Sequence, residues 1–263
     1  AGVFIFDTSL SMGYRLNSKT RLEVAQEIAA RHLEELPTGS RVAVADTSTP
    51  NPILFQAESA AAQTRLASLK PRAVSLPLNE RLRSALILQE EDQRRTFESQ
   101  GAVAEGDRRD RYLREIYLFT DLASSAWRQP DTQQLLSELE RLPAMQVYLI
   151  DVGVDEPTNI GIANLRLSSQ TLPAGGDLTV EVTLEGVGFE SAEPAVELHV
   201  QNENGSLVKR EQRAVPLSGG SASSVTFTVP GITRAITHGE VRLVNSDPLQ
   251  TDDVRYFTVA ADP

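Results

Sequence analysis

The 263-residue chain contains no cysteine, and that absence excludes both a disulfide framework and a thiolate metal centre. Histidine is scarce too. His32, His199 and His238 lie far apart in sequence, and each reads as a surface or packing residue rather than a catalytic base. No stretch approaches the roughly 18 to 20 consecutive apolar residues needed to cross a bilayer, and the amino terminus has no basic segment followed by an apolar one. Basic charge is in deficit: the net charge is −11, with 18 basic against 23 acidic residues through position 157 and 7 against 13 beyond it. Neither half is therefore a basic docking module, and a nucleic-acid backbone would be repelled. A Gly-rich phosphate loop, a Ser-His-Asp arrangement and metal-ligand histidine spacing are all missing as well.

What is present is enough apolar residue, 40%, to build real cores, and enough length for two domains. The expected division is 1–157 and 158–263. The first part is organised around Val3-Phe4-Ile5-Phe6-Asp7-Thr8-Ser9-Leu10-Ser11, four apolar residues running straight into an acidic loop. Such a run suits a central parallel strand buried on both faces, with the polar residues at its carboxyl end. Asp7, Ser9 and Ser11 at alternate positions can converge three oxygens on one point. Oxygen-only donors select a hard cation, Mg2+ first. A second apolar run, Ile116-Tyr117-Leu118-Phe119-Thr120, ends in another carboxylate, Asp121.

Asp-x-Ser-x-Ser after an apolar strand resembles the metal-ion-dependent adhesion site of von Willebrand factor type A domains, and Thr120-Asp121 is similar to the Thr-Asp that those domains carry on the adjacent strand. The resemblance spans roughly the first 155 residues. It implies an α/β fold with a doubly wound, mainly parallel, Rossmann-like sheet, and a metal site formed by Asp7, Ser9, Ser11 and Asp121. The cofactor implied is Mg2+, with Mn2+ or Ca2+ as alternatives, and the partner is a protein presenting an Asp or Glu carboxylate that completes the cation shell. One position departs from the pattern. In Leu76-Pro77-Leu78-Asn79-Glu80-Arg81-Leu82 a leucine stands where the family carries a metal-binding threonine, and Ser75 next to it is the remaining hydroxyl for that role.

Around these motifs, Thr20-Arg21-Leu22-Glu23 reads as a capping box opening a helix whose inner face is Leu22, Ala25, Ala29, Leu33 and Leu36, closed by Pro37 and Gly39. Arg41 to Ala45 predicts a strand, Ile53 to Phe55 a short third strand, and Ser59 to about Leu69 a helix. From Asn79 a helix turns Leu82 and Leu86 inward, then becomes a charged run from Gln89 to Arg114 interrupted by Gly101 and Gly106. That run reads as a solvated helix followed by a loop. Trp127 is expected to pack beneath the loop after Asp121. Asp131 predicts a helix cap, and Gln146 to Asp151 a last parallel strand.

Beyond about Ile160 helical periodicity gives way to seven short alternating segments, at 165–167, 178–184, 195–201, 207–215, 224–229, 240–244 and 255–259, with Asn204-Gly205 as a hairpin turn. Seven such segments predict an antiparallel sandwich. This half resembles bacterial immunoglobulin-like domains of the cell-adhesion-related kind. Together with the first half it is similar to membrane-anchored type A proteins of planctomycetes and to the Bat aerotolerance proteins. The resemblance implies a soluble piece, without direct membrane contact, of an anchored parent on the extracytoplasmic side of a bacterial membrane. Two other readings stand beside a non-catalytic, metal-dependent binding module. One is a structural ectodomain with a degenerate metal site. The other is a phosphatase of the haloacid dehalogenase type, whose chemistry wants a second acid two residues after Asp7, where Ser9 stands.

Overall fold

The computed structural model describes residues 1–100, 109–244 and 247–262. The chain divides into two compact units, Ala1–Val154 and Asp155–Pro263. In the first, strands β1 (Gly2–Phe6), β2 (Val42–Asp46), β3 (Arg114–Thr120) and β4 (Met145–Asp151) form one parallel sheet in the order β2-β1-β3-β4. Helices α1 (Arg21–Glu35), α2 (Ser59–Ala67), α3 (Leu78–Glu98) and α4 (Thr132–Glu140) accompany it. Alternate strand residues serve different cores. Phe4, Phe6, Val42, Val44, Tyr117 and Phe119 pack with Leu22, Ala25, Ala29 and Leu33 of α1 and with Ala62 and Leu66 of α2. Val3, Ile5, Ala43, Ala45, Ile116 and Leu118 pack with Leu78, Leu82 and Leu86 of α3 and with Leu135 of α4. Burial on both faces is why β1 and β3 read as continuous apolar runs rather than alternating ones.

The few aromatic residues are concentrated here. Phe6 stacks on Phe119 with centroids 4.6 Å apart and Phe4 on Tyr117 at 4.9 Å, which ties β1 to β3. Helix α1 begins at a complete capping box: Thr20 Oγ1 accepts from the Glu23 amide at 3.1 Å, and the Glu23 carboxylate accepts from the Thr20 amide at 2.6 Å. Trp127 packs, partly buried, against the α3 side of the sheet.

Two local expectations are corrected. Ile53 to Phe55 forms no strand, because Pro50 and Pro52 remove amide donors just where a ladder would start. Gln56 takes the edge instead, its amide donating to Val42 O at 2.7 Å and its side-chain oxygen accepting from Val44 N at 3.1 Å. The charged run is not simply solvated either. Gln89, Asp92 and Thr96 of α3 are buried, and so is Arg114. The Arg114 guanidinium donates to Asp110 at 2.6 and 3.1 Å, to Asp92 at 3.0 Å and to Gln89 at 3.1 Å. Gly101 and Gly106, and the loop expected around them, lie outside the described residues.

The second unit packs two sheets around one core. Strands β5 (Asn159–Leu167), β6 (Thr171–Pro173), β7 (Gly176–Val187), β8 (Ala195–Gln201), β9 (Leu207–Ala214), β10 (Ala222–Ile232), β11 (Ile236–Leu243) and β12 (Val254–Asp262) make a five-stranded sheet, β9-β8-β11-β12-β6, and a three-stranded one, β10-β7-β5. Val180, Val182 and Leu184 from one sheet meet Leu198, Val200, Val241 and Val259 from the other. Pairing is antiparallel except that β6 lies parallel to β12. Gly205, at φ 84°, makes the turn between β8 and β9 in a conformation that glycine adopts freely.

The fold class is therefore corrected. Strand occupies 39% of the chain and helix 25%, in four α-helices among the described residues, so the molecule is predominantly β and not clearly a doubly wound, mainly parallel α/β fold of the type A or Rossmann kind. The physical reason lies in strand length and strand number. The parallel sheet stops at four strands once the proline-flanked segment drops out, while β7 and β10 run to 12 and 11 residues, well past the alternating stretches by which they were recognised. Among the described residues no helix is long and apolar enough to cross a membrane.

Candidate metal centre at the strand ends

Carboxylates stand at the carboxyl ends of all four parallel strands: Asp46 and Asp151 close β2 and β4, and Asp7 and Asp121 follow β1 and β3. Because β1 and β3 are neighbours in register, Phe6 opposite Phe119, Asp7 and Asp121 leave the sheet side by side. The Asp7 amide still donates to Phe119 O at 2.9 Å, which fixes where the loop begins. Asp7 is fully buried; its Oδ1 accepts from the Ser9 amide at 2.8 Å and its Oδ2 from the Thr120 hydroxyl at 3.2 Å. Burial pushes the Asp7 carboxyl above its ordinary value; the Ser9 bonds pull against this, and the nearby Asp121 charge adds to it.

A short turn, Leu10–Gly13, curls the loop so that Ser9 Oγ and Ser11 Oγ share a hydrogen bond of 3.1 Å. That separation is close to the edge of about 3.0 Å expected for two ligands of an octahedral Mg2+ with bonds of about 2.1 Å. Asp121, its side chain 1% exposed, accepts from Arg21 Nη1 at 2.7 Å through Oδ2 and from the Ala123 amide at 3.2 Å through Oδ1. Arg21 Nη1 also reaches Ser11 O at 3.2 Å, and the guanidinium lies 4.3 Å over the Tyr14 ring. The residue after Asp121, Leu122, sits at φ 58°, a left-handed conformation costly for leucine.

The structure thus brings Asp7, Ser9, Ser11 and Asp121 together. Ser75 does not join them: it is exposed, and its hydroxyl donates to Leu76 O at 3.3 Å. Leu76 is held by its own amide, which donates to Thr47 O at 2.7 Å. The donors suit a hard cation chemically, yet each oxygen of Asp7 and Asp121 already accepts a hydrogen bond, and Arg21 places a positive charge on Asp121.

Arg21 escaped the sequence reading because it lies inside a capping box, where its only visible role is local. A second signal was legible but unused. Asp46-Thr47-Ser48 repeats Asp7-Thr8-Ser9, and Ser48 N donates to Asp46 Oδ1 at 2.8 Å just as Ser9 N does to Asp7. The two loops join through Thr47 Oγ1, which accepts from the Thr8 amide at 2.9 Å. Asp46 is paired with Arg65. Beside it opens a cavity of about 380 Å³ whose mainly neutral lining includes Thr8, Asp46 and its partner Arg65, with Lys70 and Arg72 adding positive charge. The histidines are remote from this chemistry: the His32 ring packs on Phe4 and Tyr117, His199 bonds Glu197 and His238 bonds Thr258.

No family model and no curated protein matches the chain. Among solved structures it is similar to the CARDB domain of the PF1109 protein of Pyrococcus furiosus, solved in complex with di-metal ions, at 12% identity and a TM-score of 0.35 over 41% of this chain and 96% of that one. A mutant β-glucosidase of Listeria innocua with laminaribiose gives 19% identity and a TM-score of 0.31 over 40% of this chain, but only 16% of the enzyme's length. The alkylpurine DNA glycosylase AlkC of Pseudomonas fluorescens, bound to DNA containing an abasic site analog, gives 13% identity and a TM-score of 0.31 over 40% and 31%. At these scores the likenesses carry no argument about activity or ligands.

Proposed function

We propose that the first unit is a non-catalytic protein-binding module that works through a hard divalent cation, Mg2+ before Mn2+ or Ca2+. Ser9 and Ser11 hold the ion directly, Asp7 and Asp121 act on it directly or through its waters, and a carboxylate from the partner protein completes its shell. The observation that carries this reading is the meeting of two strand-end carboxylates with a pair of serine hydroxyls 3.1 Å apart. Lys70 and Arg72 on the adjoining cavity wall favour an acidic partner segment. In this reading the module belongs to a membrane-anchored protein on the extracytoplasmic side of a bacterial membrane.

Calorimetric titration with MgCl2 tests it on the parent chain, Asp7→Ala and Leu76→Thr. The parent should bind the ion weakly, Asp7→Ala should not, and Leu76→Thr should bind a few-fold more tightly by restoring a hydroxyl ligand. Equal binding by the parent and Asp7→Ala removes the site from this account. A second reading, a structural ectodomain whose metal site has been lost, is favoured by one observation. The Arg21–Asp121 ion pair already supplies a positive charge at the strand ends. In that case Arg21→Gln should lower stability without any gain in Mg2+ affinity.

A further inference from the structure

A separate set of oxygen ligands lies in the second unit, where residues 247–253 meet the start of β5. Asp247, Asp252 and Asp253 each bring a carboxylate oxygen within 4.8 Å of the others. Backbone bonds fix them. Asp247 accepts from the Ile160 amide at 2.6 Å and the Leu249 amide at 2.8 Å; Asp252 O accepts from the Ile162 amide at 2.9 Å, and Asp253 O from the Leu243 amide at 2.9 Å. Asn159 on β5 donates its side-chain amide to Asp252 Oδ2 at 2.8 Å. Opposite stands Gly161, where a Cβ would fall 2.4 Å from Asp252 Oδ2, so a residue without a side chain is what admits the carboxylate.

The independent observation is a set of orphaned oxygens. Asp252 Oδ1, Asp253 Oδ1 and Asn159 Oδ1 are all buried without a hydrogen-bond donor among the described residues, and Asp253 as a whole is 5% exposed. Buried acceptors are normally satisfied, and orphaned ones on neighbouring residues of an acidic cluster call for a missing donor or positive charge. Among the described residues no lysine or arginine forms an ion pair with the three aspartates; Arg255 donates to Val254 O instead.

We propose that Asp247, Asp252, Asp253 and the side-chain oxygen of Asn159 form a binding site for a hard divalent cation of the Ca2+ kind. The three carboxylate oxygens lie close enough together to touch one ion, and Ca2+ tolerates the irregular mixture of carboxylate and amide ligands that Mg2+ does not. A cavity of about 250 Å³, lined by Asn159, Gly161, Glu185, Asp252 and Arg255, gives the ion an entry path and room for its remaining waters. Since β5 belongs to the three-stranded sheet and β11 and β12 to the five-stranded one, the ion clamps the two sheets together.

The test uses the full chain carrying Asp7→Asn, so that binding at the strand ends of the first unit does not contribute. Calorimetric titration with CaCl2 and with MgCl2 should show one site that prefers Ca2+, and Ca2+ should raise the melting temperature of the second unit relative to EDTA. Adding Asp253→Asn should weaken Ca2+ binding about 10- to 100-fold. It should not lower the melting temperature in EDTA, because it removes one of three mutually repelling carboxylates. A merely structural aspartate would do the reverse, lowering the melting temperature in EDTA and leaving the Ca2+ response intact. Failure of the Asp7→Asn chain to bind Ca2+, or an unchanged Ca2+ response in Asp253→Asn, overturns the proposal. Asp252→Asn provides the same reading should Asp253→Asn not fold.

Discussion

The two acidic clusters differ in how far groups of their own chain satisfy them. At the strand ends of the first unit, Asp7 and Asp121 receive hydrogen bonds on every carboxylate oxygen, and Arg21 is paired with Asp121. Between β11 and β12 of the second unit, Asp252 and Asp253 keep buried oxygens without donors, and no basic residue is paired with them among the described residues. A buried carboxylate is held by hydrogen-bond donors, by a cation on its own chain or by one from solution, or it is protonated. The first cluster has donors on all four carboxylate oxygens and Arg21 beside Asp121; the second, in the proposal above, takes its positive charge from solution.

The largest expected effect tests the chain-supplied pattern at its extreme. The Arg114 side chain is 1% exposed and holds both Asp92 and Asp110, so Arg114→Met leaves Asp110 without a cation and Asp92 with Arg41 alone. A loss of about 3 to 5 kcal/mol is expected, read by urea unfolding through Trp127 fluorescence and helix ellipticity, both of which report the first unit. A loss below about 1 kcal/mol would show that these acids do not depend on Arg114. Arg21→Gln is the milder form of the same break. It should lower stability in EDTA by about 1 to 3 kcal/mol, with Mg2+ recovering part of it; a melting temperature indifferent to both changes would dissolve the contrast between the clusters.

On the other side of the comparison, Gly161→Ala pushes a methyl group against Asp252. A loss of about 1 to 3 kcal/mol from overpacking is expected, together with weaker Ca2+ binding, and urea unfolding of the second unit with and without Ca2+ checks both. The smallest effect concerns pH. Burial alone would raise the Asp110 carboxyl, but hydrogen bonds from Arg114, the Tyr112 amide and Gln93 outweigh it and leave the group below its ordinary value. A depressed carboxyl contributes stability that is present above the unfolded value near pH 4 and is lost as pH falls through the folded one. Urea midpoints of the first unit should therefore drop below about pH 4, and Asp110→Asn should flatten that part of the curve.

Short-range patterns were readable in the residues themselves. Thr20-Arg21-Leu22-Glu23 specifies its capping box, the unbroken apolar runs ending at Asp7 and Asp121 specify parallel strands buried on both faces, and Asn204-Gly205 specifies its turn, because each depends on neighbours a few positions apart. The overall class was not readable in the same way. Strand lengths in the second unit are set by cross-strand pairing, and the loss of a strand at Ile53 to Phe55 by two prolines and by the competing side chain of Gln56. Nor were the charges that complete or fail to complete each site. Arg21 meets Asp121 a hundred positions away, and Asn159 meets Asp252 at a separation of 93. Nothing local to either residue announces such a pairing. Only the packing of the sheets decides which distant groups are left to neutralise one another, and which buried oxygens are left with none.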